Sequence, residues 1–131
     1  MAKLPLIARL LLGLMFTVLG LNGFLHFMPE PEMSGKAGEF LAALGASGYF
    51  FPFLKATETA CGILLLIGRF VPLALTILAP VVANILAFHL ALAPSGVGPG
   101  LAALVLGVYL AYAYRKNFRG VLEANAKPSR A

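Results

Sequence analysis

The chain has 131 residues, of which 60% are hydrophobic and 11% charged, and a formal net charge of +5. A soluble domain of this length carries about 25% charged residues, so the deficit, together with a mean hydropathy of +0.91, places the chain in a bilayer as a single domain. The positive balance does not point to nucleic acid, because the cations stand at the ends of apolar runs, where they act as topology signals. The lone Cys61 excludes an internal disulfide and a self-contained dithiol mechanism, and the lack of any aspartate excludes a Ser–His–Asp triad.

The first apolar run, with Lys3 and Arg9 ahead of Leu10 to Leu19, imitates a signal peptide. No small-residue cleavage pattern follows it, so it reads as an uncleaved first span over 5–27. That length covers about 34 Å at 1.5 Å per residue, enough to cross a bilayer with some tilt. Pro29 and Pro31 in Met28-Pro-Glu-Pro-Glu32 are expected to end it, since each proline lacks a donor and restrains the residue before it.

Residues 33–48 are too short and too broken by glycine to span. Phe40, Leu41 and Leu44 fall on one side, and Ser34 stands where an N-cap belongs, so a short interfacial helix over the mouth of the bundle is expected. A second span follows over 49–68, with Pro52 in its first turn. The third covers 71–93; Pro80 inside it deprives the Thr76 carbonyl of its usual donor and is expected to kink the helix. The uncharged turn Pro94-Ser-Gly-Val-Gly-Pro-Gly100 leads to a fourth span over 101–114, which closes in Tyr109, Tyr112 and Tyr114 beside Arg115 and Lys116, an aromatic belt with a basic flank.

The fold class expected is thus an all-α, four-transmembrane-helix bundle with an interfacial helix between spans one and two. The membrane domain occupies 1–118, and a polar tail occupies 119–131. Four spans put both termini on one side, with Lys3, Arg9, Arg69, Arg115, Lys116, Arg119, Lys127 and Arg130. Lys36, Glu30, Glu32 and Glu39 lie on the other. The positive-inside rule assigns the termini to the cytoplasm. Small residues recur every four positions in span three (Ala79, Ala83, Ala87, Ala91) and span four (Ala103, Gly107, Ala111), ladders that let backbones approach within one chain or between copies in a homo-oligomer.

The candidate functional residues gather toward the end of the bundle opposite the termini. Span one arrives there through Asn22 and His26, span two leaves it through Lys55 and Glu58, and span three arrives through Asn84 and His89. Ionisable residues within a span are expensive, so Lys55 and Glu58, at the entrance of span two, carry the strongest signal. Their spacing also suits a purely structural intrahelical ion pair. The two asparagines equally suit interhelical hydrogen bonds, and the histidines suit interfacial positions. Asn84 and His89 are five residues apart, about 140° around a helix, so one centre does not receive both. With no His-x-x-x-His or Cys-x-x-Cys pattern, no metal site is expected.

Over Ala8 to Phe118 the sequence resembles the DoxX-like family of small bacterial membrane proteins. The resemblance is carried by Gly20-Leu-Asn-Gly-Phe-Leu-His-Phe27, Ser47-Gly-Tyr49, Lys55-Ala-Thr-Glu58, Gly68-Arg-Phe-Val-Pro-Leu-Ala-Leu75, Ala79-Pro80 and Asn84-Ile-Leu-Ala-Phe-His89. It implies a four-helix bundle in the bacterial cytoplasmic membrane. The family name comes from a subunit of a thiosulfate:quinone oxidoreductase, so the resemblance also implies an accessory or ligand-binding role in membrane redox chemistry, with redox-complex subunits as partners. No cofactor is expected within the chain itself. A quinone-like ligand in the outer leaflet is the leading expectation, with Glu58 and His26 exchanging protons or hydrogen bonds, Lys55 tuning Glu58, and Asn22 and Asn84 orienting the ligand. A small-solute carrier and a structural or assembly subunit are the alternatives.

Overall fold

A computed structural model describes residues 3–29 and 32–129. The expectations for Glu30, Pro31 and Arg130 lie outside the described residues. The described residues form five α-helices and no strand: α1 (Lys3–Leu25), α2 (Gly35–Ala46), α3 (Phe50–Ile67), α4 (Val71–Leu92) and α5 (Gly98–Ala113), with short 3₁₀ turns at Pro94–Gly96 and Arg115–Phe118. Three helices, α1, α3 and α4, are long and apolar enough to cross a membrane. The fourth, α5, has 16 residues, or about 24 Å at 1.5 Å each. It begins earlier than its apolar run implies because Pro99 fits the first helical turn and draws Gly98 and Gly100 into the helix.

The four apolar helices close into a ring in the order α1–α3–α4–α5, with α5 returning to α1. The chain reverses direction from each of these helices to the next, so every neighbour is antiparallel, the up-down-up-down arrangement of a simple bundle. The core runs through Ala8, Leu12 and Phe16 of α1, Cys61 and Leu65 of α3, Val71, Ala74, Leu75, Leu78 and Val82 of α4, and Ala103 and Leu110 of α5. Opposite this core, Leu4, Ile7, Leu11 and Leu14 of α1 and Val105 and Val108 of α5 are exposed. An apolar surface of that extent is not sustained in water, and it forms the lipid-facing side of a membrane bundle.

Local chemistry explains the helix ends. The first span stops at Leu25, ahead of the prolines. His26 takes the left-handed conformation (φ 51°) and donates its N–H to the Asn22 carbonyl at 2.9 Å, while Asn22 Oδ1 accepts the Met28 N–H at 2.7 Å. At the far end of α3, Gly68 (φ 74°) and Arg69 both donate to the Leu64 carbonyl, closing the helix with a left-handed C-cap. The half-buried Arg9 lays its guanidinium over Gly68, where its charge faces the carbonyl end of α3. Helix α4 continues without interruption through Pro80, and Thr76 Oγ1 donates to the Pro72 carbonyl at 2.8 Å.

The interfacial helix is where the sequence places it, although the Ser34 side chain makes no capping bond. Ala37 is buried, Leu41 and Leu44 are half-buried on the same side, and Phe40 stacks on Phe88 of α4 with ring centroids 5.8 Å apart. α2 thus rests on the ends of α3 and α4.

Candidate functional site

The closest helix pairing is α1 with α3. Its contact line is built on small residues of α1: Gly13, Thr17, Gly20 and Gly23 meet Leu66, Gly62, Thr59 and Lys55 on α3. A Cβ placed on Gly13 would lie 2.9 Å from the Gly62 carbonyl oxygen, and one on Gly62 would lie 2.5 Å from the Thr17 nitrogen. One on Gly20 would lie 2.7 Å from the Thr59 nitrogen and 2.9 Å from the Lys55 carbonyl oxygen. In a bilayer such backbone approach is what drives association, because lipid offers apolar side chains as good a home as a neighbouring helix does.

The charge pair sits at one end of this seam. The Lys55 stem crosses Gly23, which has no side chain to obstruct it. From there Lys55 Nζ reaches to 3.2 Å from Glu58 Oε1. The two ends of the pair differ in surroundings: the Lys55 side chain is 22% exposed and that of Glu58 is 3% exposed. Glu58 lies on the inward stripe of α3 with Cys61, Gly62 and Leu65, a stripe that is otherwise apolar. Its Oε1 has the ammonium nearby but no hydrogen bond of proper alignment. Burial of a carboxylate is offset only when its lone pairs are well used, so Glu58 Oε1 retains unused acceptor capacity beside the ammonium. Thr17 Oγ1, lower on the seam, is likewise buried with no hydrogen-bond partner. Thr59 Oγ1 turns back to the Lys55 carbonyl at 2.7 Å.

Of the six candidates read from the sequence, Asn22 and Glu58 are the two buried polar residues among those described. Asn22, next to Gly23, shares the level of Lys55. Of the six, Lys55 and Glu58 are paired, and Asn22 lies one residue from the Gly23 that the Lys55 stem crosses. Glu58 is the ninth of the 18 residues of α3, at mid-length and not at the entrance. Asn22 is held by its bond to Met28, so its Oδ1 serves the chain reversal after α1.

The other three stand apart. His26 is exposed beyond the helix end. Asn84 lies at the expected level but on the outward face of α4, exposed, where its Nδ2 donates to the Pro80 carbonyl at 3.0 Å. His89 is half-buried, with Nδ1 2.8 Å from the Ile85 carbonyl oxygen, and its ring lies against Gly96 of the α4–α5 connection. Neither of the two cavities described touches any of the six residues. One, lined by Leu11, Met15 and Pro99 among others, is an apolar depression of about 360 Å³ beside α1. The second is a groove of about 460 Å³ between α4 and α5.

The glycine seam itself was missed in the sequence, where the alanine ladders of spans three and four drew attention instead. Its signal was present: Gly13, Gly20 and Gly23 repeat at intervals of seven and three, which keeps them on one helical face.

With this geometry in hand, comparison with known families is decisive for kinship. The DoxX family model matches residues 4–91, more than half of the chain. The chain belongs to the DoxX family. The match covers α1 to α4, including the seam and the Lys55–Glu58 pair, and stops before α5. Searches of curated proteins and of solved structures return no match.

Proposed function

We propose that this DoxX protein is an accessory component of membrane redox chemistry that binds the head group of a quinone-like amphipathic molecule at the Lys55–Glu58 end of the α1–α3 seam. The observation that carries this reading is the buried Glu58 carboxylate, whose Oε1 lies 3.2 Å from Lys55 Nζ yet lacks an aligned hydrogen bond. The donor set fits such a head group. An ammonium donates to a carbonyl oxygen, and a carboxylate accepts from a hydroxyl, the two forms that a quinone and its reduced partner present. Asn22 stiffens the chain above the pair. Electron transfer itself would belong to partner subunits, since the described residues bring together no His/Cys/Asp/Glu ligand set.

In the cellular setting we place the chain in the bacterial cytoplasmic membrane with both termini in the cytoplasm. Lys55 and Asn22 then lie in the outer half of the bilayer, and Glu58 lies close to its middle. Redox-complex subunits are the partners expected, and the apolar outer faces suit further copies or lipid.

A second reading is favoured by the Lys55 stem lying across Gly23: the pair sets the register of α1 against α3 and has no ligand. The carrier alternative draws no support from the two described cavities, which are apolar. Purifying the full chain from its native membrane, extracting bound quinone, and repeating the measurement with Glu58→Gln separates the readings. Quinone in the wild type that is lost from a folded Glu58→Gln protein supports the ligand site. Equal retention, or none in either protein, assigns the pair to helix register.

A further inference from the structure

The groove between α4 and α5 is the part of the bundle that the proposed head-group site does not use. It is lined by Thr76, Ala79 and Ala83 on α4 and by Ala103, Gly107 and Ala111 on α5, it reaches inward to Leu12 and Leu78, and Phe118 closes its end nearest the termini. Its volume of about 460 Å³ lies within the range of about 300–1,000 Å³ for small-molecule sites. The small residues make it open instead of drawing the helices together: a Cβ on Gly107 would meet no heavy atom within 4 Å.

What lies at its mouth differs in kind. Phe118 belongs to the 3₁₀ turn Arg115–Phe118, so the same turn that closes the groove carries Arg115 and Lys116, with Arg119 next in the chain. All three are exposed. Arg115 is oriented by its Nη1 bond to the Tyr112 carbonyl at 3.0 Å and by the Tyr112 ring, 4.4 Å from the guanidinium carbon. The one acidic residue described beyond α5 is Glu123. An apolar slot ending in a cationic rim matches one class of molecule, an acyl chain attached to a negatively charged phosphate. Basic clusters beside membrane helices attract anionic lipid with about 1 kcal/mol per Lys or Arg near the surface.

We propose that the α4–α5 groove and the Arg115–Arg119 turn together form a site for one anionic phospholipid, its acyl chain along Gly107 and its phosphate at Arg115, Lys116 and Arg119. The site is independent of the Lys55–Glu58 pair. The groove takes the chain because its floor is apolar and its walls are too small to fill it. The rim selects the head group by charge.

The test is native mass spectrometry of the full chain released from nanodiscs containing equal amounts of phosphatidylglycerol and phosphatidylcholine. The wild type is expected to retain one phosphatidylglycerol with a preference of about tenfold or more. Arg115→Gln/Lys116→Gln/Arg119→Gln removes the preference. Gly107→Leu places a side chain in the groove, its Cβ meeting no heavy atom within 4 Å, and lowers retention of both lipids. Circular dichroism in detergent establishes that both variants fold. Equal retention of the two lipids by the wild type overturns the proposal. So does unchanged retention in Gly107→Leu. Loss of a dimer in Gly107→Leu with unchanged lipid retention overturns it in favour of a second copy as occupant.

Discussion

A Cβ on Gly62 in the α1–α3 seam would lie 2.5 Å from the Thr17 nitrogen, whereas a Cβ on Gly107 in the α4–α5 pair would meet nothing within 4 Å. Both pairs carry small residues at helical spacing, and both lie in the same bundle. In the first, Gly13 and Gly20 are opposed by Gly62 and Thr59, so the backbones close. In the second, the small residues of α4 and α5 line a space that reaches to Leu12 and Leu78. A small residue permits approach, but it does not compel it. What decides is whether the facing helix offers a matching surface and whether other contacts hold the two in register. Along α1 and α3, the Lys55 stem over Gly23 does so.

The largest test of this contrast is Gly62→Leu. Its side chain meets backbone on α1 and has no room to turn, so the bundle is expected not to assemble. Even Gly62→Ala should cost about 1–3 kcal/mol from overpacking, read as a lower unfolding midpoint in detergent. Next is Lys55→Met, which leaves the buried Glu58 without its counter-ion. A loss of about 3 kcal/mol or more is expected, largely restored by adding Glu58→Leu, as buried pairs replaced by apolar residues are often tolerated. Failure of the double variant to recover stability would contradict the register role of the pair. Asn22→Ala removes the acceptor for the Met28 N–H and should cost about 1 kcal/mol, with faster amide exchange at Met28 as the local readout. The smallest effect is at Gly107. There, Gly107→Ala should stabilise by about 0.5–1 kcal/mol, since it improves helix propensity and meets no obstacle. Destabilisation at Gly107 would mean that α4 and α5 pack as closely as α1 and α3, and the contrast would be lost.

Much of the architecture was legible along the chain. The first span was read as 5–27 and is Lys3–Leu25, the second as 49–68 and is Phe50–Ile67, and the third as 71–93 and is Val71–Leu92. Apolar runs bounded by proline, glycine and charge leave few alternatives in a bilayer, where every backbone group must be satisfied within its own helix. The site was legible only in one dimension. Lys55 lies 12 residues from the far end of α3 and Asn84 lies 13 from the start of α4, about 18 and 20 Å along antiparallel helices. A common centre does not follow, because Asn84 faces outward and Glu58 inward.

The residues alone thus determined how many apolar helices form, where they turn, and how far along each one a polar group stands. Run length and a constant rise per residue settle those quantities without reference to any neighbour. Tertiary structure alone decided rotation about each helix axis, and with it which small residues became contacts and which polar residues were enclosed. The physical reason is the solvent. In water, a helix shows its buried side by the contrast between apolar and polar faces, but in lipid both sides are apolar. Only the fit of Gly13, Gly20 and Gly62 against a neighbouring backbone turns α1 and α3 to face each other, and only that turn places Glu58 inside.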